Sequence, residues 1–192
     1  MDTFSKAITT VLFMKYLIAI IFIMTNMNTE TIFDFAPSSD LENWRVVDDV
    51  VMGGRSSGSF ELTSEGHGRF AGEISLKNNG GFSSVRYNFS ETAVSPTDHI
   101  LLRIKGDGKK YQFRLKHDRR QRHSYVYEFK TSGEWETIEI PLNEMYPVFH
   151  GRKLNISDFD HNAIEELGLL IGNGREESFE LLIVEIELVE EG

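Results

Sequence analysis

The chain predicts an all-β sandwich, and three features of the sequence carry that expectation. Apolar and polar residues alternate with a period of two through many short runs. Clusters of Gly, Asn, Asp and Ser separate those runs at turn-like intervals. From Thr31 onward almost no segment shows the 3.6-residue repeat of a helix.

The strands are taken in chain order. TIFDF (31–35) is short and aromatic, and SFELTS (59–64) reads as strand. In GRFAGEISLK (68–77), Phe70, Ile74 and Leu76 share one face, with Arg69, Glu73 and Lys77 on the other. HILLRIKG (99–106) brings Ile100, Leu102 and Ile104 together, and YQFRLK (111–116) sets Tyr111, Phe113 and Leu115 against Gln112, Arg114 and Lys116. SYVYEFK (124–130) alternates Tyr125, Tyr127 and Phe129, and WETIEI (135–140) places Ile138 and Ile140 on one side. ELGLLIG (166–172) and SFELLIVEIELVE (178–190) complete the set. The last strand is apolar on both faces around Leu181–Ile186, which predicts a central position in its sheet. Two segments read as single helical turns: 36–43, capped by Ser38 or Ser39, and 155–166, with acids near its start.

Composition bounds the function. A chain of 192 residues with 40% hydrophobic content and 14 Phe has enough apolar mass for one core plus an extra segment. No cysteine is present, which excludes disulfides and thiolate metal sites. A net charge of −10 repels nucleic-acid backbone and anionic lipid over most of the surface, so no nucleic-acid partner is expected. Residues 11–24 (VLFMKYLIAIIFIM) are shorter than the ~20 apolar residues that span a bilayer as a helix. Lys15 followed by an apolar run resembles the charged and hydrophobic regions of a secretory signal, with Met14 as an alternative start. The expected organisation is therefore a leader over 1–29, acting as signal or anchor, and a β-sandwich domain over 30–192. Export or membrane anchoring through that leader is favoured over a cytoplasmic location.

Residues 48–58 read DDVVMGGRSSG and contain G-x-S-x-G (Gly54, Ser56, Gly58). A nucleophile elbow needs a strand before the serine and a helix after it, whereas strand follows here. A phosphate cradle needs Lys and Ser/Thr after the glycines, opening a helix, and GGRSSG has neither. The remaining reading is a rigid recognition loop. Gly53 and Gly54 permit positive φ and close backbone approach, Asp48 and Asp49 accept loop amides or pair with a cation, and Met52 fills the core beneath. In NNGGFSSVRYNF (78–89), Phe82, Ser84 and Arg86 share one strand face. An Arg in that setting calls for a carboxylate, and Asp48 or Asp49 is the candidate. The binding candidates are thus Asp48, Asp49, Met52, Gly53, Gly54, Ser56, Gly80, Gly81, Phe82, Ser84 and Arg86. No catalytic residue, metal ligand or cofactor is expected.

These two stretches carry a family resemblance. W-x₃-D-D-V-V-M-G-G-R-S-S-G (Trp44–Gly58) and N-G-G-F-S-S-V-R (Asn79–Arg86) resemble the complex I intermediate-associated protein 30 family. GDGKKYQF (106–113), SYVYEF (124–129), WETIEIPL (135–142) and PVFHGR (147–152) follow in the family's order, so the resemblance covers roughly 31–190. It implies a galactose-binding-like jelly-roll β-sandwich, no known catalytic activity, and an assembly or chaperone-like role among respiratory-complex subunits. The partner it implies is a protein. A carbohydrate-binding module of the cell envelope is the alternative, and an enzyme the third.

Three other features are weighed. RLKHDRRQRH (114–123), with five Lys/Arg, is the one basic patch and is expected to cap the hairpin between 111–116 and 124–130. Trp44 and Trp135 are either packing residues or sugar-stacking platforms. Asp98, Asp107, Asp158 and Asp160 lie in loops that do not supply the six to eight oxygens of a Ca²⁺ site.

Overall fold

The computed structural model describes residues 28–191. The expected leader falls outside these residues except for Asn28 and Thr29, which open the first strand. Among the described residues, thirteen strands form two antiparallel sheets. In chain order they are β1 (Asn28–Asp34), β2 (Trp44–Asp48), β3 (Ser57–Leu62), β4 (Gly68–Ile74), β5 (Ser83–Ala93), β6 (His99–Lys105) and β7 (Lys110–Lys116). They continue as β8 (Ser124–Lys130), β9 (Trp135–Pro141), β10 (Tyr146–Phe149), β11 (Arg152–Lys153), β12 (Ala163–Ile171) and β13 (Glu177–Glu190). One sheet runs β3-β4-β13-β6-β9, with β1 also paired to β13; the other runs β11-β10-β8-β7-β12-β5-β2. The only helical pieces among the described residues are the 3-10 turns Asp49–Met52, Lys77–Asn79 and Leu142–Glu144. The fold is a β-sandwich, as the alternation predicts.

The core lies between the sheets. Ile100, Leu102 and Ile104 of β6 and Leu181, Ile183, Ile186 and Leu188 of β13 face Tyr111, Phe113 and Leu115 of β7 and Leu167, Leu169 and Ile171 of β12. Strand β13 is central, as its apolar character predicts. Its two-sided appearance has a specific cause. The pairing with β6 shifts register between Ile183 and Glu185, so the inward set changes from odd to even numbers at a bulge. The carbonyl of Val184 in that bulge accepts from Phe35 N at 2.9 Å. Strand β12 changes parity in the same way between Ile164 and Glu166, which keeps Ile164 and Leu167 both inward and leaves Glu166 on the outer face.

Both expected helical turns are corrected. Residues 36–39 form a β-turn closed by Ser39 N donating to Ala36 O, and Ser39 Oγ accepts from Ala36 N instead of capping a helix. Residues 155–162 form bends, and β12 already begins at Ala163. There, burying Phe159 and extending β12 override a weak local helix preference.

Candidate functional site

The two glycine-containing stretches meet around one carboxylate. Asp49 is fully buried, at the start of the turn that follows β2. Its Oδ2 accepts from Ser56 Oγ at 2.5 Å, Gly81 N at 2.6 Å and Phe82 N at 3.2 Å, and its Oδ1 accepts from Ser56 N at 2.9 Å. Burial by itself raises the Asp49 pKa, but the bonds from Ser56, Gly81 and Phe82 outweigh it and hold the carboxyl below its ordinary range. Asp48 repeats the pattern on a smaller scale: it accepts from Ser83 Oγ at 2.6 Å and Gly58 N at 3.0 Å.

This packing explains the glycines. A Cβ on Gly54 would lie 2.2 Å from Asp49 Oδ1, and one on Gly80 would lie 2.6 Å from Asp49 Oδ2. Gly53 is required for another reason: it closes the turn at φ +89° and donates to Val50 O at 2.9 Å. Its own carbonyl accepts from Asn78 Nδ2 at 3.0 Å, which ties the first loop to the second. The G-x-S-x-G serine is part of the same structure. Ser56 Oγ donates to Asp49 and accepts from Ser75 N at 3.0 Å, and β3 follows it.

The structure therefore gathers Asp48, Asp49, Gly53, Gly54, Ser56, Gly80, Gly81 and Phe82, and it corrects two expectations. Met52 does not fill the core. It is 57% exposed, and with Val50 at 59% and Val51 at 74% it forms an apolar tip projecting from the locked loop. The four donors on Asp49 draw the turn tight and leave its three middle side chains outside. Arg86 does not pair with Asp48 or Asp49, because both carboxylates are occupied by amides and hydroxyls. It lies on the outer face of β5 and approaches Glu166 at 3.8 Å. Ser84 shares that outer face and donates to Val47 O at 2.9 Å.

Around Glu166 the sheet presents a cluster that the sequence reading missed. Glu166, 5% exposed, pairs with Arg45 at 2.8 Å and Lys116 at 3.2 Å as well as with Arg86. Arg114 stands one strand away from Gly168, opposite Arg86. Period-two alternation already places Arg114 and Lys116 on one face, but their cross-strand neighbours depend on the order β7-β12-β5-β2, which no local pattern encodes.

The basic hairpin forms between β7 and β8 as expected. Most of its cations have partners: Arg120 pairs with Asp118 inside the hairpin at 2.7 Å, Arg119 with Glu165 of β12 at 3.4 Å, and Arg122 lies over the Phe149 ring at 4.9 Å. Trp44 is buried among Phe33, Phe35, Phe60 and Tyr87, which makes it a packing residue, whereas Trp135 is 43% exposed.

Comparison with known proteins places this geometry. The chain is similar to "Complex I intermediate-associated protein 30, mitochondrial" of Drosophila melanogaster, 27% identical over 146 residues, which cover 65% of this chain and 49% of that one. The chain thus spans about half the length of that relative. Among solved structures it is similar to a family 11 carbohydrate-binding module from Clostridium thermocellum in complex with a β-1,3-1,4-mixed-linked tetrasaccharide. The TM-score is 0.63 at 16% identity, covering 86% of this chain and 98% of the module. It is also similar to part of an agarase, with a TM-score of 0.57 at 15% identity, covering 85% of this chain and 25% of the enzyme. At those identities the likeness is one of fold, a galactose-binding-like jelly roll. The model of one family, described as complex I intermediate-associated protein 30, matches residues 33–183, which include both glycine loops and strands of both sheets, and the chain belongs to that family.

Proposed function

We propose that this protein is a non-catalytic binding and assembly factor that acts through protein–protein contacts made by the Asp49 loop. The observation that carries this reading is the tip itself: three consecutive apolar side chains, each more than half exposed, on a loop fixed at its base by four hydrogen bonds to one carboxylate. Exposed Leu76 belongs to the neighbouring Ser75–Gly81 segment and adds to the apolar surface. Covering three such side chains supplies roughly 3–5 kcal/mol. A rigid base limits the entropy lost when they are covered. Family membership and the name of the fly relative support respiratory-complex subunits as the partner.

A pull-down from a membrane fraction tests the proposal. The wild-type chain is expected to recover respiratory-complex subunits, and the double substitution Val51→Glu, Met52→Glu is expected to lose them. Equal recovery by the two proteins, or none by either, overturns it.

Exposed Trp135, with His67 edge-on at 5.0 Å, favours carbohydrate binding as a second reading, in keeping with the sugar-bound module of the same fold. Glycan-array binding that is lost in Trp135→Ala supports it, and an empty array refutes it.

A further inference from the structure

We propose that the outer face of the seven-stranded sheet holds a site for an oxyanion, a carboxylate or phosphate group, gripped between Arg86 and Arg114 above Gly168. The inference does not depend on either reading above.

The strand registers put these residues in one row. Arg45 pairs with Arg86, Arg86 with Gly168, and Gly168 with Arg114. Neighbouring strands are about 4.8 Å apart, so the two arginines rise about 10 Å from each other. Gly168 between them has no side chain, and the stem of Arg86 leans over it: a Cβ there would lie 3.4 Å from Arg86 Cγ. The cavity at this point is small, about 10 Å³ or room for one water, and is lined in part by Ser84, Arg86, Arg114, Ser124, Glu166 and Gly168. A carboxylate or phosphate enters as the partly exposed Arg86 side chain, held only by a 3.8 Å contact to Glu166, swings outward, and two guanidinium groups then suit its oxygens.

The charge balance points the same way. Arg45, Arg86, Arg114 and Lys116 surround a single buried carboxylate, Glu166, which leaves three positive charges in excess on a chain whose net charge is −10. Glu128, in the adjoining row, is engaged by Lys110 at 3.1 Å and Gln112 at 3.0 Å. Arg114 is the residue left over. Its buried Nε has no hydrogen-bond partner among the described residues. Burial, and then the charge of Arg86, pulls the Arg114 pKa down to about 10. A buried donor without an acceptor is costly, and an anion seated beside it would satisfy the donor and offset the repulsion between the two arginines.

Titration of the full chain with inorganic phosphate, glucuronate and glucose, followed by amide NMR shifts, tests the site. Saturable binding of an anion is expected, with shifts centred on Gly168, and affinity should fall about tenfold or more in Arg114→Gln. Arg86→Gln, whose side chain is partly exposed and makes only a long contact to Glu166, gives a second readout if Arg114→Gln does not fold. Arg69→Gln, on the other sheet, should bind like wild type. Tighter binding of glucuronate than phosphate identifies a sugar-borne carboxylate, and the reverse order identifies a phosphoryl or free anion; both uphold the site. Glucose binding as tight as glucuronate, no saturable shift with either anion, or full affinity in both arginine variants overturns it.

Discussion

Replacing Asp49 by Ala tests the physical core of this reading. The substitution removes the acceptor for four donors at once. They are not equivalent. Ser56 N is buried and donates to Asp49 Oδ1, so stranding it costs ~1–3 kcal/mol. Ser56 Oγ can still donate to Ser75 O, 3.3 Å away, and Gly81 and Phe82 are only half-buried, so each of these three donors loses ~1 kcal/mol. Against that stands the relief of no longer burying a carboxylate, which brings the net loss to about 3–4 kcal/mol. For a domain of this size that corresponds to a fall in Tm of about 10 °C, read by calorimetry or by far-UV circular dichroism at neutral pH. Asp49→Asn provides the internal check. With its oxygen in the Oδ2 position it keeps three of the four bonds and sets its amide against Ser56 N, so its loss should be about 2 kcal/mol, smaller than for Ala. An Asp49→Ala melt within about 2 °C of wild type, or an Asn variant worse than the Ala variant, would refute the reasoning.

Three further outcomes are expected. In an acid titration, the contribution of Asp49 is complete above the ordinary carboxylate pKa of ~3.9 and is lost as pH falls through its depressed folded value, so Asp49→Asn should flatten the stability profile at the acid end. His161, stacked on His117 at 3.8 Å, and His123 both titrate below their ordinary value, through burial first and then the charge of His117. The unfolded chain therefore takes up protons first. The Tm should decline as pH drops below ~6.5, an effect that Asp160 moderates at His161 and that His161→Phe should weaken. On the outer sheet face, Glu166→Ala leaves Arg45, Arg86 and Lys116 without their shared carboxylate and should cost ~1–3 kcal/mol in a urea melt, whereas exposed Arg45→Ala should cost less than ~1 kcal/mol.

What the sequence made legible follows from which forces are local. Alternation sets the inward face of β6, β7 and β8, and the observed core residues Ile100, Leu102, Ile104, Tyr111, Phe113 and Leu115 are the ones alternation selects. The central position of β13 was expected correctly but by the wrong route: its apolar residues fall on both parities because of a bulge, not because both of its faces are buried. The bulge was not legible, since a change of parity at Val184 looks the same as two-sided burial until the partner strand is placed. The glycine stretches were recognisable as a pair of loops, but the partners of their charged residues were not. Asp49 had four amide and hydroxyl donors within a few residues of the glycines and no need of Arg86. Arg86 found Glu166, 80 positions downstream in the numbering, through strand pairing alone. Met52 was misplaced for a related reason: apolar character predicts burial only when the backbone can turn the side chain inward, and the tight turn closed by Gly53 does not.

The Asp49 arrangement has an implication for how this surface can vary. Every bond that shapes the loop comes from its flanks and its floor, and none is made by the side chains of Val50, Val51 or Met52. Those three positions are thus free of folding duty and can be rewritten at little thermodynamic risk. On the proposed reading, the scaffold is a handle whose tip can be exchanged, three consecutive codons at a time, without disturbing the hydrogen bonds that hold it.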